Sequence, residues 1–230
     1  MHYSKKSSNF ALLIYYILLT SMKHLIIIGA GGMGRVMYDM ARESVGYLTE
    51  YLIKGYIDDN LNSLDTFSGY PPILGTISEY QPQENDIFIC SIGGASRKAC
   101  MESIIQRGGE FLTMIHQTAR IGSNVKLGKG CMIGAFTTVA ADAKIGDYNF
   151  IQSNMIIGHD VVIGNWNRID SHTMLIGGIT IGNENMIHSA AVINHEVQIG
   201  NHTHVGACSF VTRNVEDNWT VFGNPARRLS

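Results

Sequence analysis

The chain has 230 residues, 45% of them apolar and 16% charged, with a formal net charge of −2. That length supports one large or two small domains, and the near-neutral balance offers no basic field for nucleic acid and no acidic tail. Cys90, Cys100, Cys131 and Cys208 show neither C-x-x-C nor metal-ligand spacing, so reduced thiols in a cytoplasmic protein are expected, with no disulfide framework and no metal.

At the N-terminus, Lys5 and Lys6 precede an apolar run from Phe10 to Leu19, which mimics a signal peptide. A run of about ten residues is too short to span a bilayer, and no A-x-A-like cleavage site follows it. Met22 then opens "MKHLIIIGAGG", a common way for a nucleotide-binding domain to begin. Residues 1–21 are therefore read as an upstream extension, with a membrane-touching segment as the alternative and no stable membrane insertion expected.

Residues 22–114 alternate strand and helix. "HLIIIGA" is a short apolar run of the kind a strand buried on both faces requires. The following "GRVMYDMARESV" has helical spacing, with Val36, Met40 and Ala41 placed to share a face. "YLIKGYIDDN" and "DIFICSIGG" read as a second and third strand, and "RKACMESIIQRG" as a helix closed by Gly108 and Gly109. The sum is a small α/β domain with a parallel sheet, Rossmann-like in pattern.

"GAGGMG" satisfies G-x-G-x-x-G after a strand, with Gly29, Gly31 and Gly34. A dinucleotide site is one reading. Against it, Asp58 lies 29 residues after Gly29 rather than about twenty, and no domain for nicotinamide chemistry follows. The same loop could cradle the phosphates of a UDP- or dTDP-sugar on backbone N–H groups and a helix N-terminus. A third reading needs the glycines only for tight strand-to-helix packing.

From residue 115 to 230 the pattern becomes a six-residue repeat. Stepping by six from Ile115 to Val211, all seventeen positions are Ile, Leu or Val. Glycine often follows, as at Gly122, Gly128, Gly158 and Gly164, where it is expected to relieve a tight corner. Four residues after the aliphatic position the side chain is usually small or β-branched. This is the signature of a hexapeptide β-helix, in which three repeats close one triangular coil and stacked coils bury an aliphatic ladder. "DNWTVFGNPARRLS" is the cap on its last coil.

Within the repeat, "IIGHDVVIG" places His159 and Asp160 side by side. The pair is either a solvated turn or a base with its carboxylate partner. Because adjacent strand residues point to opposite faces, the sequence leaves open whether Asp160 reaches the ring. His195-Glu196, 36 residues on, falls on the same prism face and is an internal rival. His172, His188, His202 and His204 are assigned no chemistry.

With "GAGGMG" before the repeats, "IIGHDVVIG" within them and "GNPARRL" at the end, the chain resembles the bacterial UDP-4-amino-sugar N-acetyltransferases and sialic acid O-acetyltransferases over Lys23 to Leu229. The resemblance implies a left-handed β-helix, an exception to the right-handed crossover rule, and a homotrimer with acetyl-CoA between neighbouring prisms. It implies a UDP- or dTDP-amino sugar held by the N-terminal domain. His159 matches the family's general base, Asp160 the acidic residue beside it, and Gly177 the glycine whose N–H meets the acetyl carbonyl. Ser189, Gly206 and Ala207 match the CoA groove, and Arg227 or Arg228 would meet a CoA phosphate. Gly31, Gly32, Asp58 and Asp59 match the sugar-nucleotide site. Two positions depart from the pattern: Met33 and Arg168 stand where the family usually has His, the first at the acceptor sugar and the second at the thioester.

The activity so implied is acetyl transfer from acetyl-CoA to the amino group of a nucleotide-linked sugar for surface glycan synthesis, by direct attack on the thioester. Imidazole, ordinarily titrating near 6.5, suits the removal of the amine's proton. O-acetylation of a sialic-acid-like hydroxyl is the alternative among enzymes, and a non-catalytic scaffold that binds a sugar nucleotide is the alternative of another class.

Overall fold

The computed structural model describes residues 22–94 and 96–230, so the expectation for residues 1–21 lies outside the described residues. The chain divides into two compact units. One runs up to Tyr38 and includes Gly46–Glu110; the other joins Asp39–Val45 to Phe111–Ser230. No helix among the described residues is long and apolar enough to cross a membrane.

The first unit is built on β1 (Lys23–Ile28), with β2 (Tyr51–Ile57) and β3 (Asp86–Cys90) pairing parallel to it on either side. Leu25 to Ile28 are fully buried, as the continuous apolar run requires. Helix α1 (Gly32–Arg42) turns inward on Met37 and Ala41, whereas Val36 is 50% exposed, so the face expected from Val36, Met40 and Ala41 is rotated. Gly34 lies on the buried side too: a Cβ there would fall on the Gly29 carbonyl oxygen, and this close approach sets the first turn of the helix against the loop that leaves β1. Helix α2 (Ser96–Gln106) follows β3, and the two-residue β4 (Glu110–Phe111) then pairs beside β3. The long irregular stretch between β2 and β3 is pinned by polar contacts. Arg107 donates to the carbonyls of Ile77, Ser78 and Tyr80, and the carboxylate of Asp86 accepts from Lys54 Nζ at 2.8 Å and the Tyr80 hydroxyl at 2.8 Å.

The second unit is a three-sided, left-handed parallel β-helix. Two-residue strands recur every six residues from β5 (Met114–Ile115) to β21 (Phe210–Val211), and each pairs in register with the strand eighteen residues away, as Phe150 with Arg168 and Arg168 with Met186. From Ile133 to Val211 every ladder residue is 3% exposed or less. The position four residues later also points inward, and on one side of the prism it forms a polar ladder of its own. Asn149 Oδ1 accepts from Asn167, Asn167 Oδ1 from Asn185, and Asn185 Oδ1 from the Thr203 hydroxyl. A returning hairpin, β22 (Thr220–Gly223) with β23 (Ala226–Arg228), covers the last coil.

The glycines do not work as the repeat suggested. Those that follow the ladder residue have ordinary negative φ, and the left-handed turn falls two residues later, at Asn124, Phe136, Asp142, Tyr148, Asn154, Asp160, Trp166 and on up the chain, with φ between 54° and 73°. What the glycines provide is space. A Cβ on Gly122 would lie 2.8 Å from Ala141 N, and one on Gly164 would lie 2.6 Å from the Gly182 oxygen, both atoms belonging to the next coil's backbone. Gly182→Ala, whose Cβ would sit 2.6 Å from the Gly200 oxygen and 2.7 Å from Asn201 Oδ1, is expected to lower stability by about 1–3 kcal/mol in denaturant unfolding, the usual cost of overpacking.

Candidate active site

His159 and Asp160 form the corner between Ile156–Ile157 of the six-stranded sheet and Val162–Ile163 of the five-stranded one. Asp160 takes the left-handed turn position, φ 58°. The strand alternation that separates adjacent side chains therefore does not apply, and the carboxylate folds back onto the ring: His159 Nδ1 to Asp160 Oδ2 is 2.7 Å. A carboxylate only accepts, so Nδ1 is the donor, and in the neutral ring Nε2 then presents a lone pair. That nitrogen faces Gly177, directly above in the next coil. A Cβ on Gly177 would lie 2.6 Å from Nε2 and 2.7 Å from Cε1, so only glycine leaves room for the ring.

The corner is one continuous column. Gly178 N donates to His159 O at 2.9 Å, and Glu196 N to Gly177 O at 3.3 Å. His159 and Asp160 are thus followed by Gly177 and Gly178, then by His195 and Glu196. Among the described residues the Gly177 N–H donates to no acceptor, as is also true of residues 141, 159 and 195 at the same turn position. A free N–H is a property of the corner; its place beside an imidazole belongs to Gly177.

The residues matched to the CoA groove lie elsewhere on the prism. Ser189 and Ala207 are stacked on the corner between the eight-stranded and six-stranded sheets, where Cys208 N donates to Ser189 O. Gly206 packs beneath Phe222, and Arg227 is exposed, its guanidinium turned to the Ala226 carbonyl. Arg168 projects from the outer face of the eight-stranded sheet, and a network that the sequence did not reveal holds it. Its Nε donates to Asp170 Oδ1 at 2.7 Å, Gln152 donates to the same oxygen at 2.8 Å, and His188 Nδ1 lies 3.2 Å from the other. The eighteen-residue steps 152, 170 and 188 were the available signal. One chain therefore unites His159, Asp160 and Gly177, and keeps Arg168, Ser189, Gly206, Ala207 and Arg227 on other faces. Among the described residues no cluster of three His, Cys, Asp or Glu side chains forms a metal site.

In the first unit, Gly31 and Gly32 open α1 at the carboxyl end of β1, beside the "SIGG" loop that leaves β3. With β2 and β3 on opposite sides of β1, this is the topological switch point where open α/β sheets bind ligands. Ser91 ties the two loops together, its hydroxyl donating to the carbonyls of Ile28 and Gly29. A Cβ on Gly31 or Gly32 would meet nothing within 4 Å, in contrast to Gly29 and Gly34. Close packing thus accounts for two of the loop's glycines and leaves two facing open space. Asp58 and Asp59 brace the rim: Asp58 accepts from Ala30 N at 2.6 Å and Asn60 N at 2.8 Å, and Asp59 from Ile77 N at 2.9 Å. Met33, the second residue of α1, is 39% exposed.

An α/β unit with an open glycine loop, joined to a hexapeptide β-helix, is the architecture of the nucleotide-amino-sugar acetyltransferases that the sequence resembles. The family model for the PglD N-terminal domain matches residues 24–104, and that for the GMPPB C-terminal domain matches residues 112–196. The acetyltransferase domain of PglB from Neisseria gonorrhoeae, solved with acetyl coenzyme A, superimposes with a TM-score of 0.80 at 25% identity, over 90% of this chain and 100% of that one. WeeI from Acinetobacter baumannii gives 0.79 at 26% identity, over 90% and 100%. PerB from Caulobacter crescentus, solved with CoA and GDP-perosamine, shares the fold with a TM-score of 0.79 at 24% identity, over 90% and 97%. The uncharacterised protein L142 of Acanthamoeba polyphaga mimivirus is 32% identical over 99 residues, which span 42% of this chain and 19% of that protein's length.

Gly177→Ala tests the column. The added methyl must displace the His159 ring, so the Nδ1–Oδ2 contact of 2.7 Å is expected to be lost in a crystal structure of the variant. Because the obstructing atoms are the far end of one exposed side chain, stability should change by less than about 1 kcal/mol.

Proposed function

We propose that this protein transfers an acetyl group from acetyl-CoA to the amino group of a nucleotide-linked sugar. The observation that carries the reading is the imidazole of His159, oriented by Asp160 at 2.7 Å with its free Nε2 over Gly177. The neutral amine attacks the thioester carbonyl, His159 Nε2 takes the amine's proton as the C–N bond forms, and the Gly177 N–H stabilises the developing oxyanion. Removing one such donor costs about 2.7–4 kcal/mol in measured cases.

Residues 22–114 hold the sugar nucleotide and residues 115–230 carry out the transfer. The diphosphate lies over Gly31 and Gly32 at the N-terminus of α1, where backbone N–H groups and the helix dipole favour an anion. Asp58 and Asp59 shape the rim and Met33 faces the acceptor. The acetyl-CoA site takes Arg168, Ser189, Gly206, Ala207 and Arg227 from one prism and the His159 corner from another, since a single chain keeps them apart. A homotrimer meets that requirement. Supporting it, the outer face of the six-stranded sheet is an apolar column of Ile156, Met174, Val192 and Phe210, with Ile156 46% and Met174 37% exposed. A cytoplasmic setting supplies both substrates.

Thiol release from acetyl-CoA, measured across UDP-, dTDP- and GDP-linked amino sugars and their hydroxy counterparts, should identify an amino sugar as the acceptor. With that acceptor, His159→Ala is expected to lose on the order of 10²–10⁴ in kcat and still bind CoA; near-wild-type turnover would refute the base. Gly31→Ala should leave stability within about 0.5 kcal/mol and weaken nucleotide-sugar binding about tenfold, or ~1.4 kcal/mol, in calorimetric titration.

A further inference from the structure

The His159 corner holds a second imidazole that the reaction as described does not use. His195 stands two coils above His159, with ring centroids 6.4 Å apart at an interplanar angle of 61°. Between them the column carries Gly177 and Gly178, so no side chain fills the gap. His159 Nε2 faces the gap from below, and His195 Cε1 lies 3.8 Å from where a Cβ on Gly178 would be. Each ring has its own carboxylate: Asp160 Oδ2 at 2.7 Å from His159 Nδ1, and Glu196 Oε1 at 3.7 Å from His195 Nδ1. Both histidines are more than half exposed.

The spacing matches one bridging water. Ring nitrogens lie about 1 Å from a centroid, which leaves about 4–6 Å between the facing atoms, and two hydrogen bonds through a water span that distance. His159 also needs such an outlet. The proton taken at Nε2 has no exit through Nδ1, which Asp160 already engages, so it leaves across the gap as the product clears Gly177.

We propose that His195, backed by Glu196, is a relay residue that carries this proton away from His159; the proposal rests on the transfer reading above. As the C–N bond forms, the amine's proton moves to His159 Nε2. As the intermediate collapses the C–S bond breaks and CoA leaves as a thiolate. The His159 proton passes to the bridging water, which gives one of its own to His195, and His195 releases it to solvent. The thiolate takes one proton from solvent, so no net proton is gained or lost. Histidine is the side chain suited to such shuttling near neutral pH.

The test compares the wild type, His195→Gln and Glu196→Gln as full chains, by thiol release at low buffer concentration with increasing imidazole. Wild-type kcat should be independent of imidazole. His195→Gln should lose about tenfold in kcat, less than the ~10²–10⁴ of a direct base, keep both KM values within about twofold, and recover as imidazole is added. Glu196→Gln should show a smaller loss with the same recovery. A His195→Gln kcat within about twofold of wild type, a loss that imidazole does not restore, or a change confined to KM would each overturn the relay and leave the transfer reading intact. No thiol release from the wild type with any acceptor would overturn the transfer reading, and the relay with it.

Discussion

Everything in the second unit depends on how closely one coil's backbone lies on the next. Strands eighteen residues apart hydrogen-bond in register, and where glycine follows the ladder residue a Cβ would meet the next coil's backbone, as at Gly122, Gly158 and Gly164. Glycine there meets a packing requirement and not a torsional one. The left-handed turns fall on other residues, and these accept side chains as different as Asp160, Tyr148 and Trp166. Stacking at this distance aligns the aliphatic ladder, the inner asparagine ladder and the outer chain of Asp147, Asn165, Asn183, Asn201 and Asp217, each tied to its neighbour through a side-chain oxygen.

The same constraint explains how the His159 imidazole can sit on an exposed corner and still be held in one orientation. His159 is not held by burial. Its backbone is fixed by the coil above, through Gly178 N, and its ring by a bond to the neighbouring side chain. Preorganisation of this kind is what acid–base and oxyanion chemistry need. The first unit achieves its own site differently. There the loops at the ends of β1 and β3 are joined by Ser91 and braced by Asp58, and Gly31 and Gly32 face open space.

The sequence made some of this plain and concealed the rest for identifiable reasons. The ladder was legible because its hydrophobic signal recurs without a break from Ile115 to Val211. The orientation of α1 was not, because helical spacing admits several apolar faces and the structure buries the one with Met37 and Ala41. The corner glycines were misread because a glycine beside a turn suggests positive φ, while close backbone approach leaves no local mark. The His159–Asp160 contact could not be derived from strand alternation, since the pair occupies the turn itself. The Arg168, Asp170, His188 and Gln152 network stayed hidden because its members are neighbours only through the coil period.

That coil period has a consequence for how such a chain can change in length. The aliphatic ladder keeps its step through an insertion of six residues that carries the same pattern, because that step is the same on all three sides. The corners do not. A six-residue insertion after His159 would leave the aliphatic ladder intact and turn every later corner by one face, so that Gly177 and His195 no longer stood above the imidazole. The aliphatic ladder repeats every six residues and the corner column every eighteen, so a change of length can preserve the fold while dismantling the proposed site.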